Sequence, residues 1–281
     1  MEQYLELCQR IIDEGNWVEN KRTGKRCLTI INVDMEYDVS DHILPILTTK
    51  KMAWKSAIAE MLGYLRGFRY AHQFRNLGCN TWNANANENK AWLANPFRKG
   101  KDDMGRCYGV QLRDWKNPEG KRIDQLDNVY RHLSCGLDNR REIMTFYNPG
   151  ELDRACLAPC MHTHTFSIVN ETLHLTSYQR SDDVPLGHPF NQIQVGWLLL
   201  VMAKITGLKP GIAYHKIVNA HLYEDQLPMI KEQLKRVPYP LPRLKINPYI
   251  TNLNDLLVAT TANFMLVDYQ HHPSIKFPFS V

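Results

Sequence analysis

Apolar positions recur at helical spacing from residue 2 to 15, where Tyr4, Leu5, Cys8, Ile11 and Ile12 share a face and Gly15 stops the run. The pattern then changes. CLTIINVDMEYDV, from Cys27, alternates and is rich in β-branched residues, so it predicts a strand, and the KRTGK segment before it predicts a turn. WKSAIAEMLGYLR, from Trp54 to Arg66, predicts a helix closed by Gly67. Residues 80–120, dense in Asn, Gly, Lys and Asp, read as a long functional loop carrying Trp82, Trp92, Tyr108 and Trp115. EIMTFYN, HTHTFSIVN and TLHLTSYQ predict three strands, the last two joined at Asn170-Glu171. QIQVGWLLLVMAKITG is apolar all round, which predicts a buried helix. IAYHKIVNAHLYED then predicts a strand and turn, PMIKEQLKR a helix, and the rest a Pro-rich tail.

No repeat or linker interrupts this order, so the expected fold class is α+β, one domain over residues 1–281 with a mixed sheet packed against helices. At 281 residues and 44% hydrophobic content the chain can bury one substantial core. The formal charge of +5 is small and both signs are spread along the chain, which suits an anionic small molecule and gives no nucleic-acid footprint. An acidic amphipathic start and the lack of a membrane-length apolar run predict a cytoplasmic protein without a membrane partner. Seven cysteines at irregular spacings predict free thiols in a reducing compartment.

Three clusters carry candidate chemistry. LAPCMHTHTF places Cys160 after a proline at the approach to a strand; a thiol reacts as thiolate, so it needs positive charge folded beside it. SYQRSDDVPLGHPFN offers a guanidinium and a hydroxyl to a phosphate, and an amide at Asn191 that presents donor and acceptor to a base edge. Capping of the following helix is the plainer reading of Asn191. Arg22, Arg140, Arg141 and Arg180 form a set suited to phosphate, although paired arginines are ordinarily solvated surface. His162 and His164 would share a strand face with Cys160, but no third ligand is suggested, and no metal is expected.

Taken in order, RTGKR, LTTKK, RR-E with YNPGEL, LAPC, YQRS-D-VPLG-PFN and HLY resemble the thymidylate synthase family across nearly the whole chain. The resemblance implies a two-fold homodimer through the sheet and reductive methylation of dUMP to dTMP, with 5,10-methylenetetrahydrofolate as co-substrate. It implies that Cys160 adds to carbon 6 of the pyrimidine, that Asn191 reads the O4/N3 edge, that Glu60 acts through water on O4, and that Tyr108 serves removal of the carbon 5 proton. Arg22, Arg180 and Ser181 match the phosphate site, Arg140 and Arg141 match arginines lent by the partner subunit, and His221 with Tyr223 matches the 3′-hydroxyl pair. Asp183 belongs with these nucleotide contacts and also with the folate wall of Lys50, Trp82, Leu186, Gly187 and Phe190. The tail through Ser280 and Val281 matches a segment that closes over folate.

The sequence departs from the family pattern at Met161, Tyr147, Gly63 and Asn219. The nearest rival activity is a dUMP hydroxymethylase, or a dCMP one, which ends the same one-carbon transfer with water instead of hydride. Asn191 argues against cytosine, since an Asp acceptor would suit its amino group.

Overall fold

A computed structural model describes residues 2–21 and 24–278 of the chain. The first helix, α1 (Glu2–Glu14), buries Tyr4, Leu7, Cys8 and Ile11. Strand β1 (Asn16–Asn20) returns antiparallel to the long β2 (Lys25–Asp38). The predicted glutamate helix is α2 (Trp54–Leu65), nearly all of it buried from Ala57 onward. Helix α3 (Ala71–Asn76) follows, and the region expected to be loop holds short helices instead: α4 (Asn83–Asn87), α5 (Lys90–Leu93) and α6 (Gly109–Arg113). A small hairpin, β3 (Trp115–Lys116) with β4 (Arg122–Ile123), leads to α7 (Gln125–Ser134). The Asp124 side chain caps α7 by accepting from the Asp127 N–H, a cap the sequence reading passed over.

Strands β5 (Ile143–Thr145), β6 (Met161–Val169) and β7 (Thr172–Gln179) are the three expected ones, and Asn170 and Glu171 both take positive φ at their turn. After the two-residue β8 (Asp182–Asp183) comes α8 (His188–Thr206), buried on all sides from Gln192 to Ala203. Strand β9 (Lys209–Tyr223) follows. The sheet runs β1-β2-β9-β7-β6-β5, with β8 beside β9; β9 pairs parallel with β7 and β8, and the remaining pairs are antiparallel. This is a mixed sheet with helices packed on it, as expected for the α+β class.

The Pro-rich tail is more structured than its composition suggests. After α9 (Leu227–Gln233), β10 (Arg243–Ile246) pairs with β11 (Phe264–Val267), and α10 (Leu253–Val258) between them packs on α2 and α8. Four-residue strands fall below the length at which alternation stands out. The Gly63 departure also has a structural reason: a Cβ there would sit 2.3 Å from a ring carbon of Phe74. Phe74 fills the space beside α2, so a larger side chain at 63 has no room while that ring is in place.

One face of the sheet lies under the helices, and the other is open. Along β2, buried Val33, Met35 and Tyr37 alternate with exposed Asp34, Glu36 and Asp38. On the open strands Ile31 (60% exposed), Val218 (56%) and Tyr178 (40%) are uncovered, more apolar surface than a sheet turned only to water carries.

Candidate functional site

Strand register assembles the candidate site. Met161 pairs with Gln179, so Cys160, just before β6, lies beside Arg180, just after β7; the Arg180 N–H donates to the Cys160 carbonyl at 2.9 Å. The Arg180 side chain turns back over the same segment, donating to the Pro159 and Ala158 carbonyls at 2.9 and 3.0 Å and to Cys160 Sγ at 3.7 Å. A fixed guanidinium beside a half-buried sulfur is the setting that a nucleophilic thiolate requires. Five other cysteines are buried and Cys135 is exposed.

The Cys160 N–H donates to the Tyr108 hydroxyl oxygen at 2.9 Å. Tyr108 has φ +35°, a strained backbone for a residue with a side chain, and its ring stacks on Tyr64 at 4.6 Å with Trp82 edge-on at 5.4 Å. Burial, with Cys160 and Cys107 nearby, pushes the Tyr108 hydroxyl well above its ordinary range, so it stays protonated at neutral pH.

Glu60 is buried on α2. Its Oε1 accepts from Thr81 Oγ1 at 2.5 Å and its Oε2 from Gln194 Nε2 at 2.7 Å. Burial raises its pKa, and the bonds from Thr81 and Gln194, with smaller contributions from the nearby Tyr64 and Trp82, oppose the rise. Gln194 also accepts from Asn191 Nδ2 at 3.1 Å, which links Glu60 to the expected base reader. Asn191 is not a cap. Helix α8 begins at His188 after Gly187, with Pro189 in its first turn, so Asn191 lies inside the helix with its side chain free for other work.

Parallel pairing of β8 with β9 places Asp183 opposite His221. His221 Nδ1 lies 2.9 Å from Asn219 Oδ1 and its ring stands edge-on to Tyr223, so the unusual Asn219 orients the histidine. The Tyr223 hydroxyl accepts from Asn20 at 3.1 Å. Asp183 accepts from Gln226 at 3.2 Å. Leu186, Gly187 and Phe190 follow Asp183 in the turn into α8, whose Leu186 and Gly187 N–H groups bond to the Asp183 carbonyl. The hydroxyl-bearing Ser181 lies half-buried between Arg180 and this turn. Buried Lys50 donates to the Pro185 carbonyl at 2.7 Å and lies 4.4 Å from the centre of the Phe277 ring; burial lowers its pKa to about 8.

Burial, with Asp182 close by, raises the Asp183 carboxyl to about 7, against bonds from Gln226 and the Leu186 N–H and the charge of Lys50. Between about pH 4 and 7 the folded chain therefore holds a proton that the unfolded chain has released, so this group's contribution to stability falls as pH rises through that window. Asp183→Asn should flatten the fall in Tm over the same range, as thermal melts at stepped pH would show. An unchanged slope would place the titration elsewhere.

Some expected residues are not brought together. Arg140 (φ +60°) and Arg141 are exposed on the loop between α7 and β5. The Glu142 carbonyl accepts from Phe166, so Arg141 lies level with the far part of β6. Six or seven residues at about 3.3 Å each put it roughly 20 Å along the strand from Cys160. Arg22, Ser280 and Val281 lie outside the described residues. The histidine expectation fails in part, because a bulge between Met161 and Thr163 breaks the alternation. His162 is half-buried beside Thr163, while His164 is wholly buried on Ser177 and burial lowers its pKa to about 3. Among the described residues no three His, Cys, Asp or Glu side chains could hold a metal ion.

Sequence reasoning missed Thr81, Gln179 and Gln194. Gln179 donates to Asn191 Oδ1 at 3.2 Å. The signal for Gln194 was present, since a glutamine three residues after Asn191 in an otherwise apolar helix shares its face. A cavity of about 820 Å³ lined by Lys204, Lys245, Tyr249 and Phe264 lies at the other end of α8 and contains none of these groups.

Residues 2–281 match the family described as thymidylate synthase. The chain is 63% identical to the thymidylate synthase of Haemophilus influenzae (strain PittGG), 62% to that of Histophilus somni (strain 2336) and 60% to that of Photobacterium profundum. Each of these comparisons covers the full length of both proteins.

Proposed function

The chain belongs to the thymidylate synthase family, and we infer that it performs the reductive methylation of dUMP to dTMP, with 5,10-methylenetetrahydrofolate as co-substrate, on the groups gathered around Cys160. The observation that carries this reading is the hold of one residue, Arg180, on Cys160, its backbone N–H on the carbonyl and its guanidinium on the sulfur. Addition of the sulfur to carbon 6 of the pyrimidine makes carbon 5 a nucleophile toward the folate's methylene group. Loss of the carbon 5 proton expels the folate by breaking its nitrogen–methylene bond, and hydride from the freed tetrahydrofolate then adds to that methylene as the cysteine leaves, giving a methyl group and dihydrofolate.

The chain's own residues divide this work. The guanidinium of Arg180 and the hydroxyl of Ser181 suit the phosphate, together with Arg22; His221 and Tyr223 suit the 3′-hydroxyl. Asn191 offers its amide to the O4/N3 edge. Tyr108, held protonated, works as a relay for the carbon 5 proton rather than as a phenolate base. Glu60, whose pKa burial raises, suits the passing of a proton. Lys50, Trp82, Asp183, Leu186, Gly187 and Phe190 suit the folate, and Gln226 and Lys50 tie the tail at Pro278 and Phe277 beside them. Ser280 and Val281 extend that tail as the closing segment.

The working unit is a homodimer. Two features support it: the open sheet face carrying Ile31, Val218 and Tyr178, and the remoteness of Arg140 and Arg141 from their own chain's Cys160. No helix among the described residues is long and apolar enough to cross a membrane. The family's chemistry and the reducing conditions suited to its free thiols point to the cytoplasm.

Incubation with dUMP and methylenetetrahydrofolate, followed by mass measurement of the nucleotide, tests the reaction. The expected product carries a methyl group and appears with dihydrofolate. A hydroxymethyl product would assign the chain to water-terminated transfer instead.

A further inference from the structure

A carboxamide has two N–H donors and two acceptor lone pairs. The protein engages each kind at Asn191: Gln179 donates to Oδ1 at 3.2 Å, and Nδ2 donates to Gln194 Oε1 at 3.1 Å. Each glutamine has its amide nitrogen fixed by a backbone carbonyl, which only accepts, and that of Gln194 is also held by Glu60 in its charged form. Gln179 Nε2 also donates to the Ser181 carbonyl at 3.0 Å, with its Oε1 held by His215 Nε2 at 2.7 Å. Gln194 Nε2 donates to Glu60 Oε2 at 2.7 Å and to the Ala57 carbonyl at 3.3 Å. Each glutamine is 1% exposed, so turning either amide over would set oxygen against oxygen out of reach of solvent.

We propose that Gln194 is a positioning residue that joins the amide of Asn191 to the carboxylate of Glu60, so that selection of uracil and proton handling at Glu60 depend on one side chain. The proposal rests on the reading of Asn191 as the base reader. With one N–H and one lone pair already engaged, Asn191 keeps one of each for a ligand, in a fixed spatial order. Uracil offers an acceptor at O4 and a donor at N3; cytosine offers a donor at its amino group and an acceptor at N3. A sugar and phosphate held elsewhere present both bases in the same pose. The locked amide therefore complements uracil and meets cytosine donor to donor, whereas an amide free to turn would serve either.

The same glutamine acts on Glu60. The other titratable groups turned toward that carboxyl are Tyr64, Tyr108 and Cys79, all shifted upward and neutral near pH 7. Thr81 and Gln194 are therefore the donors that sustain its charged form, with Tyr64 and Trp82 contributing less. Loss of Gln194 moves the Glu60 titration further up.

Gln194→Leu should lower the ratio of dCMP to dUMP dissociation constants about 10-fold, the worth of roughly one hydrogen bond. It should also move the acid limb of the kcat profile to higher pH. Gln194→Glu keeps an acceptor toward Asn191 and sets a second carboxyl against Glu60, so the base ratio should stay within about 2-fold while the pair shares a proton and the acid limb moves to higher pH. A merely structural role would not separate these readouts, and if the Leu variant fails to fold, Gln194→Met, which keeps the length of the side chain and lacks its amide, carries the same test. Asn191→Asp, measured alongside, should shift preference toward dCMP. If it does not, the base reading itself is wrong. If it does, and Gln194→Leu leaves either the ratio or the acid limb unchanged, or Gln194→Glu changes the base ratio as much as Gln194→Leu, the coupling is overturned and the base reading stands.

Discussion

Cys160→Ala lowers turnover by at least about 10³-fold while dUMP binding remains measurable, because the atom that forms the bond to carbon 6 is gone and the contacts to phosphate and base are not. The expectation rests on where Cys160 sits. Its backbone is pinned by Arg180 and Tyr108 through groups that the substitution leaves in place. The half-buried side chain is small, so its loss opens little cavity. Isothermal titration with dUMP and steady-state assay of the same preparation separate binding from chemistry. Product formation at the wild-type rate would remove Cys160 from the mechanism, and loss of dUMP binding together with turnover would show that the thiol holds the site's shape.

Mixing two inactive proteins restores activity, provided that Arg140 and Arg141 serve the neighbouring subunit. Cys160→Ala and the double variant Arg140→Ala, Arg141→Ala are each nearly inactive alone. After free subunit exchange about half of the dimers are mixed, and each mixed dimer holds one site with an intact cysteine and intact arginines from the other chain. Activity near one quarter of wild type is then expected, as simple pairing in a two-fold dimer dictates. The geometry favours this outcome, since Arg141 lies roughly 20 Å along β6 from Cys160 at the rise of an extended chain. No recovery, with exchange verified by a tag on one partner, would place all of these residues in one chain's site.

Sequence alone determined the long elements and the family. Periodicity placed α1, α2, α8, β2, β6, β7 and β9 because each is long enough for its burial pattern to repeat several times. The order of short motifs around Cys160, Arg180 and Asn191 identified the chemistry, since those residue types at those spacings serve few other ends. The short tail strands β10 and β11 and the helices between residues 80 and 120 escaped, because pieces of four to six residues draw their stability from packing rather than from local pattern.

Tertiary structure decided how the motifs meet. A thiol and a guanidinium twenty residues apart become neighbours only through the β6–β7 register, and Asp183 finds His221 only through the parallel β8–β9 pair. The bulge after Met161 separated two histidines that a regular strand would have put on one face. The helix start at His188 changed Asn191 from a candidate cap into a side chain within the helix. Gln179 and Gln194 gained their meaning only when folding buried them between Asn191, Glu60 and His215. A glutamine in water is satisfied in any orientation, whereas one whose amide nitrogen is enclosed by groups that only accept has a single direction left, and enclosure is a property of the packed chain.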